Sequence, residues 1–414
     1  MKYLLSLLLF SLLLLASCSP KVTSQSAGNS DQQLRKKANE LAHRFIITDG
    51  HVDLPYRLRV KNFKLTKEYI GIPVETDEGD FDFIRAKKGG LDAPFMSVYI
   101  PASYQKDGGA KELADSLIDM VHGIIEAHPD KFAAGGSPEL IQQNYLKGLV
   151  SLPMGMENGA PIGKNLSNVA YFHQRGIRYV TLTHSRDNQI CDSSYDTTGT
   201  WGGLSPFGRD VVQEMNKVGM MIDVSHISDQ AFYQVMELSK APVIASHSSC
   251  RTFTPGFQRN MDDEMIKRLA KNGGVIQINF GSNFLDKEVR QRFNENRDKL
   301  LGMLAKEGLK YNDDEAKPIV EQFRKDHPGL FADVQTVVAH IDHVVQLVGA
   351  DHVGFGSDFD GVGDSLPTGL KDVSNYPNII YLLLKKGYSE EDIEKICYKN
   401  VFRVWNQVNK VAAG

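Results

Sequence analysis

The chain is short of several features that would assign it to an obvious class. It has four cysteines in 414 residues and no Cys-x-x-Cys pair, which argues against a thiolate zinc knuckle and against a disulfide framework. Cys191, Cys250 and Cys397 lie far apart, and a single disulfide between two of them would still leave one thiol unpaired. Charge of one sign is also lacking. The 47 basic and 51 acidic residues give a formal net charge of −4, so there is no general pull toward nucleic acid or an anionic bilayer. Long apolar runs are absent but for one, residues 4–15 behind Lys2, which is too short for a stable bilayer anchor and has the layout of a signal peptide.

That run ends Leu15-Ala16-Ser17-Cys18, which resembles the bacterial lipobox, in which the cysteine is lipidated and becomes the first residue after cleavage. The expectation is a signal peptide over 1–17, lipidation at Cys18, and a polar tether over 18–31 rich in Ser, Gly and Asn. The protein would then be exported and lipid-anchored to the bacterial cell envelope, facing the periplasm or attached to the outer membrane.

The whole chain has the composition of a soluble globular protein, 42% hydrophobic and 24% charged, and what remains, 32–414, is long enough to bury a sizeable core. A helix is expected over 32–45, with Leu34, Ala38, Leu41, Ala42 and Phe45 at helical spacing. Eight short apolar runs follow and read as buried strands: 45–50, 95–100, 149–156, 178–183, 220–225, 242–246, 274–280 and 352–357. Amphipathic stretches such as 110–127, 228–240 and 261–271 alternate with them, so the pairing should be parallel. Eight such units make an α/β fold, a (β/α)8 TIM-type barrel, with an open doubly wound sheet as the alternative. Polar, reactive residues at the ends of many different strands favour the barrel, whose strand ends converge on one mouth. The interval 286–333 breaks the period. It is charged and helical in character, carries Pro318 and Pro328 as breakers, and is expected to be a helical insertion between strands seven and eight that serves as a lid or a homodimer contact. Helices at 333–348, 378–386 and 390–408 complete the chain.

The strand ends carry the chemistry. The first ends Asp49-Gly50-His51-Val52-Asp53, and residues two apart on an extended segment face the same way, so His51 and Asp53 can reach one ion. The third ends on Glu157 among Gly155, Asn158 and Gly159, a carboxylate whose two oxygens can bridge two cations. The fifth and sixth each lead into a histidine, His226 and His247, 21 positions apart, about one strand-loop-helix-loop unit. The donors divide into His51, Asp53 and Glu157 for one ion and Glu157, His226 and His247 for the other. Imidazole and carboxylate without thiolate suit two zinc ions, with manganese or cobalt as alternatives. Two ions roughly 3.5–4 Å apart sharing a water would make a hydrolase.

With these residues in place, the chain resembles the membrane (renal) dipeptidase family. The resemblance rests on Asp49–Asp53, Gly155–Gly159, Tyr179-Val-Thr-Leu-Thr-His184, Asp223-Val-Ser-His226, Ser246-His-Ser-Ser249, Arg259-Asn260 and Gly354–Gly361. It implies a two-zinc barrel enzyme that cleaves dipeptides. By position it implies His184 as stabiliser of the oxyanion, Arg259 as the guanidinium that binds the substrate carboxylate, and Asp358 as the acid that moves protons between water and leaving amine. Asn279 to Phe284 depart from the resemblance, since a tyrosine is expected there, and so does the insertion. The alternatives are a two-metal amidohydrolase acting on a cyclic amide or β-lactam, and, outside enzymes, a peptide-binding lipoprotein.

Overall fold

A computed structural model describes residues 24–60, 73–311 and 313–414. The signal peptide and Cys18 lie outside the described residues.

Eight parallel strands follow one another in chain order around a nearly closed barrel: β1 (Ile47–Val52), β2 (Leu91–Tyr99), β3 (Met154–Glu157), β4 (Ile177–Thr181), β5 (Met221–Asp223), β6 (Ile244–Ser248), β7 (Val275–Ile278) and β8 (Val353–Phe355). The expected (β/α)8 TIM-type barrel is the observed fold. Its seam lies between β8 and β1. It is closed at the upper end, where Asp358 N donates to His51 O at 3.0 Å and Asp53 N donates to Phe359 O at 2.8 Å. Buried Asp49 reinforces the seam, accepting from His51 N (2.9 Å), Ser357 N (2.9 Å) and the Tyr376 hydroxyl.

The helices start where the sequence supplies caps. Ser205 accepts from Gly208 N ahead of Pro206–Val218, Ser228 from Ala231 N ahead of Asp229–Leu238, and Asp262 from Met265 N ahead of Asp263–Lys271. These caps hold the loops after β4, β5 and β6 to fixed lengths, and those loops carry site residues.

The bottom of the barrel is plugged. Phe95, Tyr179, Met221, Ile244 and Val275 point inward near the strand starts and meet Val404, Trp405 and Val408 of the last helix, Asn400–Ala412. Each fully buried side chain of this size contributes about 1.5–3 kcal/mol. The Phe95 ring centroid lies 5.5 Å from those of both Trp405 and Tyr179, so the plug supports Tyr179 from below and aims its hydroxyl upward.

Four differences from the sequence expectations have local causes. The run 149–156 is two strands broken at Pro153, which cannot donate to a ladder. Val150–Leu152 turns aside to pair with Phe132–Ala134, a strand of three residues too short to stand out in the sequence. The first helix covers Ser24–Arg44 and so takes in residues expected in the tether, with Asp31 bonded to the Tyr381 hydroxyl. Pro318 starts a helix (Lys317–Asp326) instead of breaking one, because the first turn needs no N–H from it. The insertion is helical as expected. Lys287–Lys306 and Lys317–Asp326 share a small core of Leu300, Leu304, Ala316, Val320 and Phe323. Between the insertion and the loop after β8 lies a cavity of about 670 Å³, and none of the expected site residues lines it. Cys191, Cys250 and Cys397 are buried free thiols, so no disulfide joins them.

Candidate active site

Glu157, the last residue of β3, is the centre of the site. Its Oε1 lies 3.0 Å from His226 Nε2, 3.2 Å from His247 Nε2 and 3.6 Å from His184 Nε2, and its Oε2 lies 3.4 Å from His51 Nε2. Asp53 Oδ2 is 3.5 Å from the same His51 nitrogen. All of the expected ligands therefore converge at the C-terminal ends of the strands. Three overlapping sets have ligand atoms within 4.8 Å of one another: His51, Glu157 and His247; Glu157, His184 and His226; and His51, Asp53 and Asp358. These sets group the residues differently from the division expected from the sequence: His51 and His247, whose rings stack at 3.9 Å, share one set, and His226 falls in another.

Two of the imidazoles are locked in one tautomer from behind. The Tyr179 hydroxyl donates to Gly50 O at 2.9 Å, so the face it turns to His51 Nδ1, also at 2.9 Å, is a lone pair. His51 Nδ1 must then carry a hydrogen, which makes Nε2 the nitrogen turned toward Glu157. His247 repeats the arrangement: Ser246 Oγ donates to Asp223 Oδ2 at 2.6 Å and accepts from His247 Nδ1 at 2.7 Å. Asp223 is itself fixed by Thr181 Oγ1 (2.5 Å), Ser225 N (3.0 Å) and Ser246 N (2.8 Å). Gly155 is needed here because a β-carbon at this position would lie 1.9 Å from Cζ of the Tyr179 ring.

The residues fit a divalent metal. His51 Nε2 and Asp53 Oδ1 are buried without a hydrogen-bond partner. Nε2 of His226 and His247 point at each other across 2.8 Å beside the carboxylate. Burial, together with Arg259 at His226 and with His51 and Arg259 at His247, pushes both imidazoles well below their ordinary pKa, so they are neutral donors. Burial would raise the Glu157 carboxyl, but the surrounding imidazoles outweigh it and hold the group well below the usual carboxylate range. At His51 burial opposes protonation, yet Tyr179, Glu157 and Asp53 outweigh burial and push its pKa well up, a field that attracts a cation.

The remaining residues surround this cluster. Asn279, in the segment that departs from the resemblance, donates from Nδ2 to Asp358 Oδ2 at 2.8 Å. Its own Oδ1 accepts from Gly281 N at 2.7 Å, which fixes the orientation of the amide. Burial raises the Asp358 carboxyl to about 7, with His51 opposing and Asp53 and Glu157 adding to the rise. Gly361 lets the two acids approach, since a β-carbon there would sit 2.1 Å from Asp53 Oδ2 and 2.2 Å from Asp358 Oδ1. Arg259 is buried, donating to Ser248 Oγ and His247 O, both at 2.7 Å, and lying 3.0 Å from His226 Nε2, while its Nε–H has no acceptor. The His184 ring stands edge-on to Tyr99 at 4.9 Å, and its Nδ1 has no partner. His226 and Asp358 have φ of 70° and 64°, a left-handed backbone uncommon outside glycine and typical of functional turns.

Sequence reasoning assigned no role to Tyr179, Asp223, Ser246 or Asn279. The available signal was an acid, Asp223, inside an apolar strand, where burial is costly without partners. Tyr195, on the loop before Pro206–Val218, was also missed. It sits 5.9 Å from the His226 ring, and turn-rich sequence around it offers no periodic signal.

A parallel barrel whose mouth gathers four imidazoles and two aspartates around one glutamate defines a metal-binding hydrolase. Residues 35–414 match the model of the membrane dipeptidase family, peptidase family M19. A dipeptidase of Claviceps purpurea is 32% identical over 88% of this chain and 77% of its own length, and Dipeptidase 3 of Mus musculus is 32% identical over 92% and 68%. Among solved structures, a probable dipeptidase from Pseudomonas aeruginosa superposes with a TM-score of 0.77 at 27% identity, covering 92% of this chain and 100% of that one. A metallopeptidase from Rhodobacter sphaeroides, solved with a phosphinate mimic of L-Ala-D-Ala, shares the fold with a TM-score of 0.71 at 23% identity, over 88% of this chain and 99% of that one. The chain belongs to the membrane dipeptidase family and is a metallo-dipeptidase.

Proposed function

We propose that the enzyme holds two zinc ions on His51, Asp53, Glu157, His226 and His247 and hydrolyses free dipeptides. The observation that carries this reading is the buried Glu157 carboxylate, with a forward-facing imidazole nitrogen on each oxygen side and unpartnered His51 Nε2 and Asp53 Oδ1 beside it. Ions bound there would polarise the scissile carbonyl and bring the pKa of water toward neutrality.

The protein's own residues divide the remaining work. Arg259 receives the substrate carboxylate through its unspent Nε–H and restricts cleavage to short peptides. His184, with Nδ1 unpartnered and its ring on the open side of Glu157, donates to the oxygen on which negative charge develops. Asp358 takes a proton from the attacking water and returns it to the leaving amine, and Asn279 holds one of its oxygens still during the exchange. A resemblance to the lipobox supports export and lipid anchoring at Cys18. No helix among the described residues is long and apolar enough to cross a membrane.

The test is release of free amino acids from dipeptides by the protein prepared without its first 23 residues, before and after chelation. Activity should disappear with the metal and return when zinc is restored, and full activity in metal-free protein would refute the reading. A β-lactam opened faster than any dipeptide would favour the amidohydrolase reading instead. Radiolabelled palmitate should enter the full chain but not Cys18→Ala.

A further inference from the structure

Among the described residues, Arg290 at the mouth has no counter-charge. Arg290 belongs to the first turn of the insertion helix Lys287–Lys306, which Asp286 anchors by accepting from Glu288 N at 2.7 Å and Val289 N at 3.0 Å. Its guanidinium carbon lies 3.1 Å from the centroid of the Phe257 ring. The side chain is half-buried, and among the described residues it has no hydrogen bond and no carboxylate within ion-pair distance. Arg251, in the loop after β6, shows the ordinary arrangement, a two-pronged pair with Asp229 at 2.8 and 2.7 Å. At Arg290 burial disfavours the charge, Tyr195 offsets part of this and Arg297 adds repulsion, so an incoming carboxylate would relieve an existing cost.

The rings around Arg290 lead into the reacting centre. Phe257 packs on Tyr195 (6.0 Å between centroids) and on Phe284 (5.7 Å). Tyr195 lies 5.9 Å from the His226 ring, and the Arg259 guanidinium carbon sits 5.5 Å over Phe284. One aromatic wall thus carries two guanidiniums, with Arg259 deep beside the metal ligands and Arg290 farther along. A dipeptide whose terminal carboxylate meets Arg259 would lay the side chain of that same residue along the wall toward Arg290.

We propose that Arg290 is a specificity-determining residue that selects dipeptides with a carboxylate side chain, aspartate or glutamate, in the C-terminal position. The proposal rests on the dipeptidase reading and narrows its substrate class. A planar fork with both prongs free suits a carboxylate, and a charge-assisted pair of this kind gives about 10- to 100-fold discrimination. Arg290 is supplied by the insertion and not by the barrel, so substrate class and catalysis would reside on separate parts of the chain.

The experiment compares kcat/KM of the zinc-loaded enzyme for Ala-Glu, Ala-Gln and Ala-Lys, in which the side chains differ mainly in charge. The wild type should prefer Ala-Glu over Ala-Gln by about 10-fold or more, chiefly through KM. In Arg290→Met the ratio should fall to near one, and Arg290→Glu should turn the preference toward Ala-Lys. A wild-type ratio near one, or a ratio that Arg290→Met leaves in place, overturns the proposal. If no dipeptide is cleaved at all, the dipeptidase reading fails instead. Calorimetric titration of Ala-Glu and Ala-Gln onto wild type and Arg290→Met then decides the point: tighter binding of Ala-Glu that depends on Arg290 supports it, and equal affinities overturn it.

Discussion

Removing the Tyr179 hydroxyl should weaken one metal position while leaving the barrel folded. Tyr179→Phe keeps the ring that packs between Phe95 and Gly155 and deletes only the oxygen that orients His51 through Nδ1. His51 would then be free to place its hydrogen on either nitrogen, and the tautomer that presents a lone pair to the metal would lose its support. Loss of such an outer partner costs 10- to 100-fold in metal affinity, or about 1.4–2.8 kcal/mol. The fold also loses the hydrogen bond to Gly50 O, a further cost of about 1–2 kcal/mol to stability at this buried carbonyl. Competition with a chromophoric chelator reads the affinity directly. If two zinc ions bind as proposed, the one nearer His51 should be released at lower chelator concentration, and the other should stay near the wild-type value. Circular dichroism and thermal melting confirm the fold. If a folded Tyr179→Phe protein binds both equivalents as tightly as wild type, the hydroxyl does not set the tautomer and the reasoning is wrong.

Other consequences are open to the same kind of check. Asp358→Asn preserves size and an acceptor for Asn279 but removes the proton carrier, so kcat should fall by about 10²–10⁴ with KM little changed; a variant with wild-type turnover would exclude Asp358 from proton transfer. Gly361→Ala drives a methyl into both Asp53 and Asp358, and the displacement should lower kcat/KM by about 100-fold or more in steady-state assays. Asp92, buried at the start of β2 beside Lys87, tests a charge far from catalysis. Burial, opposed by Lys87 and the Ile47 N–H, raises its carboxyl from 3.8 to about 7. A raised acid contributes stability that is complete below about pH 4 and is lost as pH climbs through about 7. The gap corresponds to at most about 4 kcal/mol. Denaturant midpoints between pH 4 and 7 should therefore fall for wild type and stay flatter for Asp92→Asn; parallel curves would contradict the assignment.

The barrel was readable because its strands are buried on both faces and so appear as short continuous apolar runs with a reactive residue at the end of most of them. The convergence of the candidate ligands was readable for the same reason: His51 and Asp53 sit two apart on an extended segment, Glu157 ends its strand and His247 is next to last in its own. The groups that make those ligands competent were not readable. Tyr179 reaches His51 across 128 positions of chain, and Asp223 reaches His247 only through Ser246, so neither leaves a periodic trace. The break at Pro153 was hidden because Val150–Leu152 is as apolar and as buried as a barrel strand while pairing elsewhere. The departure at Asn279 was visible as a difference, but its meaning needed coordinates, since only the bond from Gly281 N shows which end of the amide faces Asp358.

The site also shows how one end of the barrel can be rigid enough for catalysis and still variable in what it accepts. The candidate ligands and their outer partners stand on strands or within three residues of a strand end, and the aromatic plug beneath Tyr179 links their geometry to the deepest core. The wall that faces substrate is built differently. Tyr195 comes from the loop after β4, Phe257 and Arg259 from the loop after β6, Phe284 from the turn after β7, and Arg290 from the insertion. Substitutions on these segments alter side-chain contacts with substrate without touching the strands that hold Glu157 and the histidines. An enzyme organised this way should change substrate class through its loops while its metal affinity stays constant. For that reason the Arg290 variants should move the ratio of Ala-Glu to Ala-Gln turnover, whereas Tyr179→Phe should move metal affinity and leave that ratio where it was.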